Sequence, residues 1–554
     1  MGNAKTTFAH RISPASAVWK PLLLAASVAM LGAGKVAAQA CTDINPAEFK
    51  KVVLASGLDS PMKLAISKDG RVFWNQRSGK IRMVKPGSTT PVDLITITVK
   101  NGLSNEDGVL SIALDPKFES NNYLYVFYSP STTVGYRISR FTLNVPATGN
   151  ETLGNEKILL TIPHPYPKGS DLIIHGAGGM SFDSNGNLLV GTGDLQVTNG
   201  TGAPTPTDPN SSNYDAQGTS ANSNNYLGKI LRIKPTEAGG YTIPDGNLFP
   251  QGTAKTLPEI FAMGVRNPFT ITVDPKTNWA YVGEVGPDGT NGPIPSQDEV
   301  NQIKTAGNLG WPYLTGDNQA YPGFSADKMT NSSKNNTGIT DLPAPTKALF
   351  WMGMNKSWPI DGYVPKNKNV GGRCIKVGGF YRYNPALTSP NRLPPSFDNG
   401  LFVANHNQID SADGIRFFKL GDNGELSAIK VFQNNSELPM SFEISPDGVL
   451  YMVEWGRDNG HWFNQGDGRI LRIDYTGNCA TGIKDLKANI MSRFSGIRSI
   501  YPGQAIEFPD GAVSADIFDL AGKKMLNIHR EPGKNAFMPS MGQNAILLVK
   551  FKGE

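Results

Sequence analysis

An all-β fold, a six-bladed β-propeller with a small C-terminal β-sandwich-like domain, is what this 554-residue sequence predicts. Three observations carry the expectation. One strand–turn–strand pattern recurs six times, a further apolar strand trails most copies, and the pattern gives way after Cys479 to a shorter series of strands. A solenoid would need uniform spacing, which these copies lack, and the Greek-key links of a β-sandwich do not generate six copies of one Asp-centred turn.

Taken in chain order, residues 1–40 read as a signal peptide. Lys5, Arg11 and Lys20 precede the apolar run PLLLAASVAMLGAG, and Ala38-Gln39-Ala40 supplies a small-residue cleavage site before Cys41. The run is short for a membrane span, and no other segment looks transmembrane. The expected location is secreted or periplasmic, with a cell-surface lipoprotein anchored at Cys41 as the rival reading.

The propeller is expected over residues 41–480. Its repeats are LAISKDGRVFW from Leu64, LSIALDPKFESNNYLYVFY from Leu110, MSFDSNGNLLVGTGD from Met180 and FTITVDPKTNWAYVGEVG from Phe269, followed by the weaker PSFDNGLFVAN from Pro395 and FEISPDGVLYMVEWG from Phe442. Each Asp turn, including that at Asp398, is expected to join two strands as a hairpin, with Gly or Asn accepting positive φ. Trailing strands are read in GKIRMV, YRISRFTL, GKILRIKP, DEVNQI, GIRFFKL and GRILRIDY. A half-apolar blade cannot bury its faces alone, so stability is expected from closure of the ring.

Two insertions interrupt the rhythm. Residues 195–225 are rich in Asn, Thr, Ser, Gly and Pro, and residues 315–347 are polar with scattered aromatics. Loops of that length are functional or disordered. Asp208, Asn210, Asn213 and Asp215 could suggest Ca²⁺, but without full ligand spacing a solvated loop is the better reading. Residues 481–499 form a linker, and residues 500–554 a C-terminal β-domain resembling the small sorting domains of secreted bacterial proteins, with an ordinary accessory domain as the alternative.

Charge and cysteine content narrow the partners. Removing the first 40 residues removes four Lys/Arg and no acid, which takes the formal charge from +5 to +1 and argues against nucleic acid as a partner. Cys41 and Cys479 flank the repeat region and Cys374 lies inside it; a Cys41–Cys479 bond would fasten the ring, and free thiols are the alternative.

Chemistry concentrates in two places. His175, one of six histidines, sits in IIHGAGGMSF at the entry to the third repeat, where a Gly-rich turn bares it as a candidate general base. Asp194, closing that repeat in VGTGD, could orient the imidazole. The segment IFAMGVRNPFTITVDPKTNWAYVGEVGPDG places Arg266 and Asn267 before one strand and Gly286-Pro287 after the next. Arg266 offers fixed positive charge, and main-chain carbonyls suit Ca²⁺.

With YTIPDGNLFP, PEIFAMGVRNPF, DEVNQI and NLGWP, this segment resembles the soluble quinoprotein glucose/sorbosone dehydrogenases over residues 57–475, most strongly before residue 347. The resemblance implies a pyrroloquinoline quinone (PQQ) and Ca²⁺-dependent sugar dehydrogenase. His175 would remove the proton of a sugar C1 hydroxyl while hydride passes to the quinone C5, Arg266 and Asn267 would contact the quinone, and Gly286 and Pro287 would ligate Ca²⁺ through their carbonyls. Asp298, Glu299 and Trp311 match the family as well, Trp311 equally as core or contact.

Several positions depart from the family. Glu106 stands where glucose-oxidising relatives have a glutamine near the cofactor, and Ile174 replaces the Asp that helps hold sugar, so the sugar is left open. In the fifth repeat FVANHNQ lacks the basic side chains that grip the quinone carboxylates, leaving His406 there and Lys376 or Arg457 as compensating candidates. Two other readings stand beside the dehydrogenase, a non-catalytic carbohydrate- or protein-binding propeller and a Ca²⁺-dependent lactonase. The electron acceptor and oligomeric state are left open.

Overall fold

The computed structural model describes residues 43–99, 106–132, 135–163, 175–195, 207, 215–287, 297–353, 374–406, 414–433, 436–456 and 466–477, and, in the tail, residues 497–500, 505–506, 512–518, 524–529, 536–537 and 547–553. The expected signal peptide, Cys41, Cys479, Arg457, Ile174 and nearly all of the linker lie outside them. The chain divides into two compact units, residues 44–477 and a second that includes residues 478–554.

Six blades make up the first unit among the described residues, five of them four-stranded antiparallel sheets and the third a four-stranded antiparallel core to which Tyr241–Thr242 and, in parallel, Gly307–Asn308 add short strands. From the innermost strand outward, blade one is Pro61–Ile66, Val72–Gln76, Lys80–Val84 and Val92–Thr96; blade two is Val109–Leu114, Tyr123–Tyr128, Gly135–Asn144 and Thr152–Pro163. Blade three is Ala177–Phe182, Leu188–Thr192, Lys229–Pro235 and Ile260–Met263, and blade four is Pro268–Val273, Ala280–Glu284, Gln297–Ile303 and Phe350–Gly353. Blade five is Ile375–Tyr381, Gly400–Asn405, Ile415–Leu420 and Leu426–Gln433. Blade six takes Pro439–Ile444, Leu450–Glu454 and Gly468–Tyr475 from late in the chain and its outermost strand, Phe49–Leu58, from the beginning. The innermost strands touch in the order one to six and then back to one, so the ring is closed.

Closure follows from register. Phe49 pairs with Tyr475 and Leu58 with Gly468, and the Phe49 ring lies 4.9 Å from Phe432 and 5.3 Å from Tyr475. Between blades the core is aromatic and branched aliphatic, with Trp74, Tyr125, Phe127 and Tyr136 in one cluster and Phe397, Phe402, Phe417 and Phe442 in another. Burial of such side chains supplies the driving force that single blades lack.

The recurrent Asp has a local cause. Its carboxylate accepts from the backbone N–H two residues on, Asp115 from Lys117 at 2.8 Å, Asp183 from Asn185 at 2.9 Å and Asp274 from Lys276 at 3.0 Å, which fixes the hairpin bend. Blade five departs from the expected hairpin. Pro395–Phe397 is a 3₁₀ turn, the inner strand is Ile375–Tyr381, and Asp398 accepts from Tyr383 N at 2.9 Å, clasping the two strands across an excursion of the chain between them. The outermost strands Thr152–Pro163 and Val92–Thr96 escaped the sequence pattern because much of their length is solvent-exposed, whereas Ile260–Met263 is buried throughout.

The described parts of the two insertions fold against each other. Asn331 donates to the carbonyls of Gln217 and Ala221 at 2.8 and 3.0 Å, and Asp215 accepts from Asn335 at 2.9 Å and from Ser333 at 2.5 Å. Lys229 anchors the same region from inside blade three, its ammonium donating to the carbonyls of Thr219, Ser220 and Leu227 at 2.8, 2.9 and 2.7 Å. The tail contains a four-stranded antiparallel sheet, in the order Ile497–Ile500, Leu547–Gly553, Ala512–Phe518 and Lys524–His529, and a short Ala505–Ile506 pair with Ala536–Phe537.

Candidate active site

In an antiparallel blade the start of the first strand and the end of the second lie at one end. His175 precedes the first strand of blade three and Asp194 follows its second; Arg266 and Asn267 stand in the same relation to blade four, with Gly286 and Pro287 after its second strand. Glu106 precedes blade two, Cys374 precedes blade five and His406 follows that blade's second strand. The topology therefore brings all of these residues to one end of the ring around its axis.

His175 and Ala177 have φ of 53° and 58° on either side of Gly176, a left-handed stretch that costs each non-glycine residue about 1–2 kcal/mol. Neighbouring chain holds it. A Cβ on Gly193 would fall 1.5 Å from the His175 carbonyl oxygen and one on Gly176 would fall 2.4 Å from that of Glu106, so the backbone meets at distances only glycine allows. His175 Nδ1 is 2.8 Å from Asp194 Oδ1. The other oxygen of this fully buried carboxylate accepts from Trp311 Nε1 at 2.9 Å, and the Asp194 amide donates to Arg266 O at 2.8 Å. A carboxylate only accepts, so the imidazole proton sits on Nδ1 and Nε2 keeps its lone pair. Among the described residues Nε2 has no hydrogen-bond partner.

Arg266 is 2% exposed and donates through Nη1 to the carbonyls of Val285 and Gly286 at 3.1 and 2.7 Å. Glu284 accepts from the Arg266 amide at 2.5 Å, and burial, then the nearby Glu299, raises its pKa well above the usual carboxylate range. Burial likewise pushes Glu299 up to about 6. Asp298 is committed to backbone, accepting from Gly286 N at 2.9 Å and from Cys374 N and Ile375 N at 2.7 and 3.1 Å, so it shapes the Gly286-Pro287 turn. Glu106 accepts from Gly176 N at 2.6 Å and from Asn267 Nδ2 at 3.2 Å, while Asn267 Oδ1 is buried without a partner.

Blade five supplies Lys376, whose ammonium lies 3.4 Å from the centroid of the Phe269 ring. Burial drives His406 down to about 3, so His406 adds no charge near neutral pH; its Nδ1–H donates to Pro439 O, 3.1 Å away. Cys374 is half-buried, and among the described residues it forms no disulfide. Trp311, ambiguous in the sequence, is buried against Ala216 and Tyr321 and holds Asp194 through its Nε1. Lys63 was not assigned from the sequence and enters from blade one; its signal was a lysine inside the apolar strand PMKLAI.

Comparison with known proteins gives a consistent result. A family described as "Glucose / Sorbosone dehydrogenase" matches residues 58–347. An uncharacterized protein of Synechocystis is 27% identical over 440 residues, 78% of this chain and 87% of its own. Quinoprotein glucose dehydrogenase B of Acinetobacter calcoaceticus is 26% identical over 362 residues, 61% of this chain and 66% of that one. The PQQ-bound aldose sugar dehydrogenase of Streptomyces coelicolor aligns with a TM-score of 0.51 at 21% identity, over 77% of this chain and 99% of that structure, a likeness of fold. Among the described residues no helix is long and apolar enough to cross a membrane.

Proposed function

The chain belongs to the glucose/sorbosone dehydrogenase family, and from that premise we propose that it is an exported dehydrogenase that oxidises an aldose or related sugar hydroxyl with PQQ and Ca²⁺. The observation that carries the proposal is the His175–Asp194 pair at 2.8 Å, with Nε2 of the imidazole unpartnered among the described residues and Asp194 tied through its amide to the Arg266 carbonyl. The residues at this end of the ring fit PQQ. A buried acceptor on Asn267 lacks a partner, and the Lys376 ammonium makes no hydrogen bond to any described residue, so polar capacity is left over for a carbonyl-rich polyanion.

Lys376, Arg266 and Asn267 would hold PQQ, and Gly286 and Pro287 would offer carbonyl oxygens to Ca²⁺. Among the described residues no three or more carboxylate, imidazole or thiol groups gather as a cation site, so the carbonyl pair is a partial shell for a bound anion and water to complete. When bound, PQQ supplies a two-electron quinone acceptor for hydride. His175 Nε2 takes the proton of the sugar hydroxyl, and Asp194 stabilises the resulting imidazolium through Nδ1–H. Arg266, fixed by two carbonyls, places a permanent cation where negative charge develops. Trp311, packed against Ala216 and Tyr321 of the two insertions, holds Asp194, which is fully buried.

Titrating purified protein with PQQ, with and without Ca²⁺, and then adding a panel of aldoses while quinone absorbance is followed tests the proposal. Ca²⁺-dependent PQQ binding and bleaching by sugar are expected, with chelation releasing PQQ and re-addition of both restoring turnover. No PQQ binding in either condition would refute the dehydrogenase and favour a binding propeller.

A further inference from the structure

The innermost strand of blade one, PMKLAI at Pro61–Ile66, is buried along its first four residues, and the third of these is a lysine. Lys63 is 7% exposed, and its ammonium does not return to solvent. It donates to the main-chain oxygen of Phe269 at 3.2 Å and lies 5.1 Å from the centroid of that ring. Blades one and four face each other in a ring of six, so the side chain spans the axis. Lys376 from blade five approaches the same ring.

Two ammonium groups thus gather on one aromatic side chain beneath the His175 end. The carboxyl group acting on Lys63 is that of Glu443, and burial pushes Glu443 up to about 8, which leaves it protonated near neutral pH. Cys374, then Glu106 and Asp298, act on Lys376, and the two carboxylates also accept from Gly176 N, Asn267 Nδ2 and the amides of Cys374 and Ile375. His406 is neutral there as well. Burial, then Lys376, lowers the Lys63 pKa well below its ordinary value, and burial lowers that of Lys376, so holding both ammonium groups protonated here is costly, and an anion facing both would relieve the cost and draw them to the charged form. Lys229, the structural lysine of blade three, satisfies its ammonium on three carbonyls, whereas Lys63 has one, the Phe269 oxygen.

We propose that Lys63 is a cofactor-holding residue that, with Lys376, receives carboxylates of PQQ and supplies from blade one the cationic charge that blade five lacks. The inference rests on the reading of this pocket as a PQQ site.

The test measures equilibrium binding of PQQ and of its trimethyl ester, in the presence of Ca²⁺, to the full chain and to Lys63→Met, Lys63→Gln and Lys63→Arg, each checked by circular dichroism melting. Lys63→Met and Lys63→Gln are expected to weaken PQQ binding roughly 10- to 100-fold, the range of one charge-assisted contact. Lys63→Arg should restore most of it, and the ester should bind weakly to the wild type and lose little more on substitution. Wild-type affinity for PQQ in the neutral variants would overturn the proposal while leaving the dehydrogenase reading intact. An equal loss for acid and ester would overturn it too, by assigning Lys63 a purely structural role. Should the neutral variants not fold, weak ester binding to the wild type and to Lys63→Arg decides, and equal affinity for acid and ester overturns the proposal. Absence of PQQ binding by the wild type would remove both readings.

Discussion

Asp194→Asn is the substitution whose outcome the geometry constrains most tightly. The side chain keeps its shape, but one oxygen becomes an NH₂ donor. Trp311 Nε1 is a donor only and lies 2.9 Å from Oδ2, so the amide must turn its remaining oxygen toward the indole. The NH₂ then faces His175 Nδ1, 2.8 Å away, and makes that nitrogen an acceptor. The imidazole proton moves to Nε2, where the base should have its lone pair. Sugar-oxidation kcat is expected to fall on the order of 10²–10⁴-fold, the cost of a lost or wrongly protonated base, with PQQ affinity changed only a few-fold. Adding Trp311→Phe frees the amide to rotate. The double variant should recover part of the loss although two contacts are now missing. Stopped-flow bleaching of the PQQ-loaded enzyme by sugar reads the chemical step directly. An Asp194→Asn variant within about threefold of wild type would refute the base assignment, while a double variant slower than the single one would refute the tautomer argument.

Three further outcomes follow from the same geometry. His175→Ala should leave PQQ binding nearly intact and slow sugar oxidation by about 10²–10⁴-fold; near-normal turnover would place the proton transfer elsewhere. Gly193→Ala puts a Cβ 1.5 Å from the His175 carbonyl oxygen, so urea unfolding should register a loss of roughly 1–3 kcal/mol together with reduced kcat, and unchanged stability would contradict the close approach. Stability should also decline on both sides of neutrality. Glu443, raised from 4.5 to about 8 by burial, binds its proton more tightly when folded, so stability is lost as pH rises through that interval, and Glu443→Gln should flatten the alkaline arm. His406, lowered from 6.5 to about 3, binds its proton less tightly when folded, so stability is lost as pH falls through that interval, and His406→Asn should flatten the acid arm. Thermal melts between pH 4 and pH 9 check both arms.

The ring was legible in the sequence because its cause is local. An Asp carboxylate bonding two residues ahead leaves the same short signature at each hairpin, as at Asp115, Asp183 and Asp274. Where the bend is made otherwise, as at Asp398, the signature points to the right neighbourhood and the wrong partner strand. His175, Asp194 and Arg266 could be named because strand ends bring them to one place, whatever the loops do. Lys63 could not, since its meaning depends on a carbonyl 206 residues away across the axis. Trp311 was ambiguous for a similar reason: one indole fills the core with its ring and holds Asp194 with its nitrogen.

The pairing of Phe49–Leu58 with Gly468–Tyr475 sets an order of events during synthesis. The first strand to leave the ribosome is the last to find its partner, because that partner is made more than four hundred residues later. Until then blade six lacks a side and an unpaired edge stands open, the kind of surface that recruits other chains. The three blades that supply His175, Arg266 and Lys376 are complete by residue 433, yet the wall around them is not continuous. The wall around these residues is therefore completed in a single late step, when Phe49–Leu58 pairs with Gly468–Tyr475.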